Sequence, residues 1–379
     1  MGNRGPLHAQ HEIVRLCHAG LDSTTLRREV MNEMRHVVPA DAWCFPTADP
    51  ATLMITGNVG EGLPADAAPR FFEIEYSLED FNKFAELARR PSPVGTLREA
   101  TGGDLSRSPR WREVFHPLGL DDDLRAAFVA DGACWGYLAL HRGGGSSSFS
   151  AEDRLFVSRV LGHLAEGLRV SLIVEASETQ ETIDGPGLVL LDDAFEVASS
   201  SASGAQWLAD LGAHEQPDIG VLPASVYAVA ARLRALEQSA SPGPELMPRA
   251  RVRTSSGRWL IVHATRLSDA ERRGQIAVII EPAHPAEIAP LIVRAYDLST
   301  REREVTQQVI RGLSTAEIAE QLFISANTVQ DHLKAIFAKV GVSSRRELVA
   351  RIWSQQYWPR VASGTPLAAD GRFVEAQLG

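Results

Sequence analysis

A chain of 379 residues with 44% apolar and 23% charged side chains holds enough core for two or three globular domains, and its composition is neither disordered nor fibrous. The formal net charge of −10 excludes a chain that coats nucleic acid with its whole surface, and no run approaches the length of a membrane-spanning helix. Cys17, Cys44 and Cys134 are widely spaced without a C-x-x-C pair, which suggests neither a disulfide framework nor a zinc site.

The opening MGNRGPLHAQHE has no apolar signal region, so a cytoplasmic location without a membrane partner is expected. Residues 8–19 and 23–38 read as helices, the second capped by Asp22 or Ser23 and stopped by Pro39. The period then shifts to short strands at 43–45 and 52–56, followed by helical stretches rich in aromatics. Trp43, Phe45, Phe71, Phe72, Tyr76, Phe84, Trp111 and Trp135 are candidates to line an apolar ligand pocket, with ordinary core packing as the alternative.

Strands at 123–129 and 133–141 should form a hairpin about Asp131-Gly132, because Asp-Gly accepts the left-handed backbone of a tight turn. Gly143 to Ser148 reads as a flexible linker, and Ser150 with Asp153 opens a long helix to about Glu175. Its Val157, Leu161, Leu164, Leu168 and Leu172 form one stripe, suited either to its own sheet or to a second copy. A second module begins with strands at 187–191 and 195–198 and continues with helices at 203–211 and 225–236. Strands at 250–254, 258–267 and 275–281 complete it. Residues 283–290, with two prolines, read as a linker, and 359–379 as a C-terminal tail.

The last module carries the densest start signals. Ser-x-x-Glu recurs at Ser299/Glu302, Ser314/Glu317 and Ser344/Glu347, and Ser325 is a further N-cap. Gly312 and Gly341 suit helix ends. Only Phe323, Ile324 and Ser325 join the second and third helices, the short connection of a helix-turn-helix. On the third helix Val329, Leu333, Ile336, Phe337 and Val340 share one face and should be core. The opposite stripe of Asn327, Gln330, Asp331, Lys334 and Ala338 suits a major groove, where Asn and Gln pair with adenine; a solvated face is the plainer alternative. Between Ser299 and Trp353 eight basic residues face six acidic ones, so this segment carries +2 and the rest of the chain −12. So small a charge implies weak binding by one copy and favours a homodimer.

This segment resembles the LuxR-type helix-turn-helix. The matching residues are Leu298, Arg301, Glu302, Glu304, Val305, Gly312, Ser314, Glu317, Ile318, Ala319, Ile324, Ser325, Thr328, Val329 and His332, then Lys339, Gly341, Val342, Arg346, Glu347 and Leu348. Ser299 stands where the pattern has Thr, and Gln330-Asp331 replaces the Lys that many relatives carry after Thr-Val. The resemblance implies double-stranded DNA as partner, with Asn327, Thr328, Gln330, Asp331, Lys334, Lys339, Arg345 and Arg346 at the interface. By layout, the first module is similar to a GAF domain and the second to a PAS domain.

The expected fold is therefore multidomain. It comprises an α+β GAF-like domain with flanking helices (1–178), an α+β PAS-like domain (183–284) and an all-α four-helix LuxR-type domain (285–358). No P-loop, G-x-S-x-G, H-E-x-x-H or dinucleotide fingerprint is present, so no catalytic or metal residue and no cofactor is expected. The expected function is one-component transcriptional regulation, with an unidentified small-molecule effector. Alternatives are a redox or haem sensor using Cys44, Cys134 or His141, and control by a protein partner.

Overall fold

The computed structural model describes residues 5–145, 148–173, 185–213, 222–239, 247–254, 256–268 and 273–352. It divides into two compact units, one holding the described residues up to Pro282 and the other those from Ala283 onward.

The first unit opens with α1 (Pro6–Cys17) and α2 (Ser23–Met34). Asp22 caps α2 by accepting from the amides of Thr24 and Thr25. Strands β1 (Ala42–Ala48) and β2 (Ile55–Glu61) follow, then α3 (Ala68–Ser77), α4 (Phe84–Leu87), β3 (Val94–Thr96) and α5 (Leu97–Ala100). Trp111–Phe115 forms a single π-helical turn. The hairpin of β4 (Leu120–Ala130) and β5 (Ala133–Gly143) turns at Asp131 (φ 49) and Gly132 (φ 69), the paired left-handed residues that an Asp-Gly turn demands. The five strands make an antiparallel sheet in the order β2-β1-β5-β4-β3.

Helix α6 (Ala151–Ser171) starts at a complete capping box of Ser150 and Asp153. Its Val157, Leu161, Leu164 and Leu168 are buried, and the helix packs on α1 and β4, so the apolar stripe serves its own module. Gly143 closes β5, and residues 146–147 of the expected linker lie outside the described residues. So does the end expected for the long helix, 174–175.

The second sheet comprises β6 (Gly187–Leu191), β7 (Val197–Ser200), β8 (Arg249–Arg253), β9 (Trp259–Ser268) and β10 (Arg273–Pro282), with helices α7 (Ala202–Gly212) and α8 (Ala224–Gln238) between β7 and β8. Its antiparallel order β7-β6-β10-β9-β8 repeats that of the first sheet. The backbones of β6 and α7 meet at Gly187 and Gly204: a Cβ on Gly187 would lie 2.6 Å from the Gly204 Cα.

Helix α8 is buried on every side along its first ten residues, Ala224 to Leu233. A helix enclosed all round must pack on more than one partner. One side lies on α3 and β2, the other on β8, β9 and β10. A single hydrophobic core consequently runs from Met54, Phe72 and Tyr137 through Tyr227 to Leu260 and Val278. Polar ties reinforce the seam: Ser77 Oγ donates to the Ala231 carbonyl (3.1 Å), and Arg234 on α8 pairs with Glu73 on α3 (3.1 Å).

The second unit begins with α9 (Pro285–Ala295), which takes in both the end of the segment expected as a linker, 283–290, and a lead-in helix expected over 291–296. Proline suits the first turn of a helix, and His284 with Glu287 closes a capping box, so the two prolines do not keep the segment open. Pro290 is accommodated inside the helix. Then come α10 (Thr300–Ile310), α11 (Thr315–Leu322), α12 (Ala326–Val340) and α13 (345–352). The expected tail, 359–379, lies outside the described residues.

Candidate functional site

The candidate nucleic-acid interface is built on α12. Ser325 caps it by accepting from the Thr328 amide (3.1 Å), and Gly341, with φ 70, closes it. Ser299/Glu302 and Ser314/Glu317 form complete capping boxes on α10 and α11. The third pair is split: Ser344 Oγ caps the Glu347 amide (3.1 Å), but the Glu347 carboxylate accepts from the Ser343 amide (2.7 Å) instead. The connection from α11 to α12 turns at Phe323, which adopts φ 54 and is 95% exposed.

On α12 Val329, Leu333, Ile336 and Val340 are buried and Phe337 is half-buried. Asn327, Gln330, Asp331, Lys334 and Ala338 are all exposed. Gln330 Nε2 donates to Thr315 Oγ1 on α11 (3.4 Å), which ties the start of the stripe to the neighbouring helix. Lys334 lies 3.6 Å from the Asp331 carboxylate, and both side chains are about three-quarters exposed (78% and 76%), so the pair is a weak one.

Among the other expected interface residues, Thr328 is exposed beside its cap, its hydroxyl 2.8 Å from Ser325 Oγ. Arg346 is exposed, while Arg345 is half-buried with Nε and Nη2 making no hydrogen bond. The Lys339 ammonium is engaged within the head, donating to the Asp297 carbonyl (3.0 Å) and to Glu302 (2.8 Å). Burial alone would raise the Glu302 carboxyl, but the bonds from Lys339 and Ser299 outweigh it and hold the group below the usual carboxylate range. Lys339 thus clamps α12 to α10, a role the residue pattern does not reveal because its partners lie 37 and 42 residues away.

The first unit contains a cavity of about 120 Å³. Of the aromatics expected to line a pocket, Trp43, Phe71, Phe72 and Phe84 do so. Phe45 packs on Phe128 with ring centroids 5.0 Å apart, Tyr76 does not line the cavity and accepts from the Ile55 amide (2.9 Å), and Trp111 packs tilted against His116 (4.3 Å). Trp135 is buried and does not line it. Residues that pattern reading left out complete the wall: Cys44, Asn58, Phe115 and, from the second sheet's side, Leu222 and Tyr227.

Behind the wall lies a buried charge cluster. Arg125 pairs with Glu75 (2.7 Å) and Asp123 (3.1 Å), and Arg110 pairs with Asp80 (2.8 Å) and Asp123 (3.2 Å). Desolvation, aided by Arg125 and Arg110 against the opposing pull of Asp123, drives the His141 imidazole down to about 3. Burial pushes the thiols up, Cys44 to about 11 and Cys17 and Cys134 to about 12.

A capped helical head with a short αL-turned connection and one polar face on its third helix defines a helix-turn-helix module. Residues 297–352 match the bacterial regulatory proteins of the luxR family. The spore germination protein GerE of Bacillus subtilis is 40% identical over 55 residues, 14% of this chain and 74% of GerE. The chain belongs to the luxR family of bacterial regulatory proteins. The monoamine regulon transcriptional regulator of Klebsiella aerogenes is 50% identical over 56 residues, 15% of this chain, and the chain spans only 25% of that relative's length. The crystal structure of the VqsR LBD domain from Pseudomonas aeruginosa covers 44% of this chain and 97% of its own, at 17% identity and a TM-score of 0.32, a likeness too slight to define a fold. Among the described residues no helix is long and apolar enough to cross a membrane.

Proposed function

We propose that this protein is a one-component transcriptional regulator that binds double-stranded DNA as a homodimer through α12 and is modulated by a small molecule in its first unit. The observation that carries the reading is the division of α12 into a buried face of Val329, Leu333, Ile336 and Val340 and an exposed polar stripe, the arrangement a recognition helix needs. Asn327, Gln330 and Lys334 take the base edges; Thr328, Arg345 and Arg346 take phosphates. Lys339, bonded to Glu302, contributes by positioning α12.

The repeated strand order of the two sheets supports reading the first unit as a GAF-like and a PAS-like module joined along α8. A thiol-based switch is disfavoured by the raised thiols, since a thiol at about 11 or 12 holds almost no thiolate near neutrality. Sequencing genomic fragments retained by the purified full chain tests the proposal. One enriched motif with two-fold symmetric half-sites is expected; retention without any enriched motif would overturn it.

A further inference from the structure

The cavity of the first unit is not built by one module alone. Cys44 and Ile55 come from β1 and β2, Phe71 and Phe72 from α3, and Phe115 from the π-helical turn. The opposite side is Leu222, Pro223, Ala224 and Tyr227, at the start of α8. Tyr227 stacks on Phe72 with centroids 5.5 Å apart and planes at 20°, and its other neighbour is Phe195 in the turn before β7, at 6.3 Å. An occupant would therefore lie against the aromatic pair that joins the two sheets.

The charges around the cavity decide what kind of occupant fits. Three of the six aromatic side chains in its wall already carry cations on their faces: Arg125 lies over Phe84 (4.4 Å) and Phe71 (5.4 Å), and Arg110 over Phe115 (5.9 Å). A bound ammonium would meet rings whose quadrupoles are already engaged, with a guanidinium behind them. An anion fares no better: Arg125 Nη2 makes no hydrogen bond, but the two guanidiniums already face three carboxylates, Glu75, Asp80 and Asp123. Glu61, the only carboxylate in the lining among the described residues, is 65% exposed and stands 3.7 Å from Arg35. Burying an unpaired charge here would cost far more than the apolar contact returns.

We infer that the cavity is a composite binding site for an uncharged, largely apolar aromatic-sized molecule, and that α8 is the wall through which the second module registers its occupancy. This rests on the small-molecule part of the proposed function and not on its DNA-binding part, which the genomic recovery experiment tests separately.

The test uses the full-length chain and three probes of one shape: 2-phenylethanol, phenylacetate and 2-phenylethylamine. Calorimetry should show binding of the alcohol at least about tenfold tighter than of either ion, and the alcohol should slow amide exchange within residues 224–233. Ala68→Leu on α3 and Ala224→Leu on α8 each narrow the cavity, and each should abolish binding of the alcohol while the circular dichroism spectrum is unchanged. Leu222→Ala, which opens the wall, is the control if either filled variant fails to fold, and should alter affinity for the alcohol. Equal or tighter binding of an ion, no binding of the alcohol, or binding indifferent to both Ala224→Leu and Leu222→Ala would overturn the inference.

Discussion

Asp49, at the end of β1, accepts from both the backbone amide and the guanidinium Nε of Arg251 on β8, each at 3.0 Å. The two residues are 202 positions apart, and the pair fastens the edge strand of the second sheet to the first. Asp49 is 2% exposed, so removing its carboxylate takes a buried acceptor away from both the guanidinium and the amide of Arg251. Asp49→Ala is expected to cost about 3 kcal/mol, read from urea unfolding at neutral pH. A loss within a few tenths of a kcal/mol would mean that the seam is held by α8 alone.

The His141 imidazole supplies a pH dependence. Its folded value of about 3 lies far below the ordinary 6.5, so below 6.5 the unfolded chain takes up a proton that the folded chain refuses. Stability is then complete above that value and falls as the pH drops toward 3. Between pH 6.5 and 5 this group alone should remove about 2 kcal/mol, at roughly 1.4 kcal/mol per pH unit. The Asp123 and Glu302 carboxyls, both held low, release stability only under more acidic conditions. His141→Phe should flatten the change between pH 7 and 5, and a variant with the same slope as the parent would rule out this assignment.

The elements were legible in the sequence where local chemistry decides them. Asp131-Gly132 announces its hairpin, Ser150 and Asp153 announce α6, and the serine caps of the head mark four helix starts. The buried and exposed faces of α12 follow from spacing alone. What spacing cannot show is contact between distant segments. The role of α8 as a shared core helix, the cavity wall at Leu222 and Tyr227, and the capture of Lys339 by Glu302 all depend on pairings that no local period encodes. Residues 283–290 misled for a related reason: two prolines suggest a break, but one sits where a helix begins.

Capping gives a third expectation. Ser325→Ala deletes the acceptor for the Thr328 amide at the start of α12. The cost should be about 1 kcal/mol in stability of the head. Thr328 would also lose its hydroxyl partner, so DNA affinity should fall along with stability. Differential scanning calorimetry and fluorescence anisotropy on the same preparations would check both, and a variant as stable as its parent would show that the cap is dispensable.

The Asp331 carboxylate is the one anion in the polar stripe, and it holds Lys334 at 3.6 Å. Asp331→Asn frees that ammonium and removes a charge that phosphates repel. Affinity for DNA of any sequence should rise several-fold, and the plot of log affinity against log salt should steepen by about one unit. An unchanged slope would place the Asp331 carboxylate beyond the reach of the phosphates.

On this reading the exposed stripe of α12 reads base edges. The most direct measurement is anisotropy of the full chain and Gln330→Ala against the recovered operator and each of its single base-pair variants. Gln330→Ala is expected to lose about 1–3 kcal/mol of discrimination at one position of each half-site and to keep it elsewhere. Discrimination retained at every position would show that Gln330 reads no base.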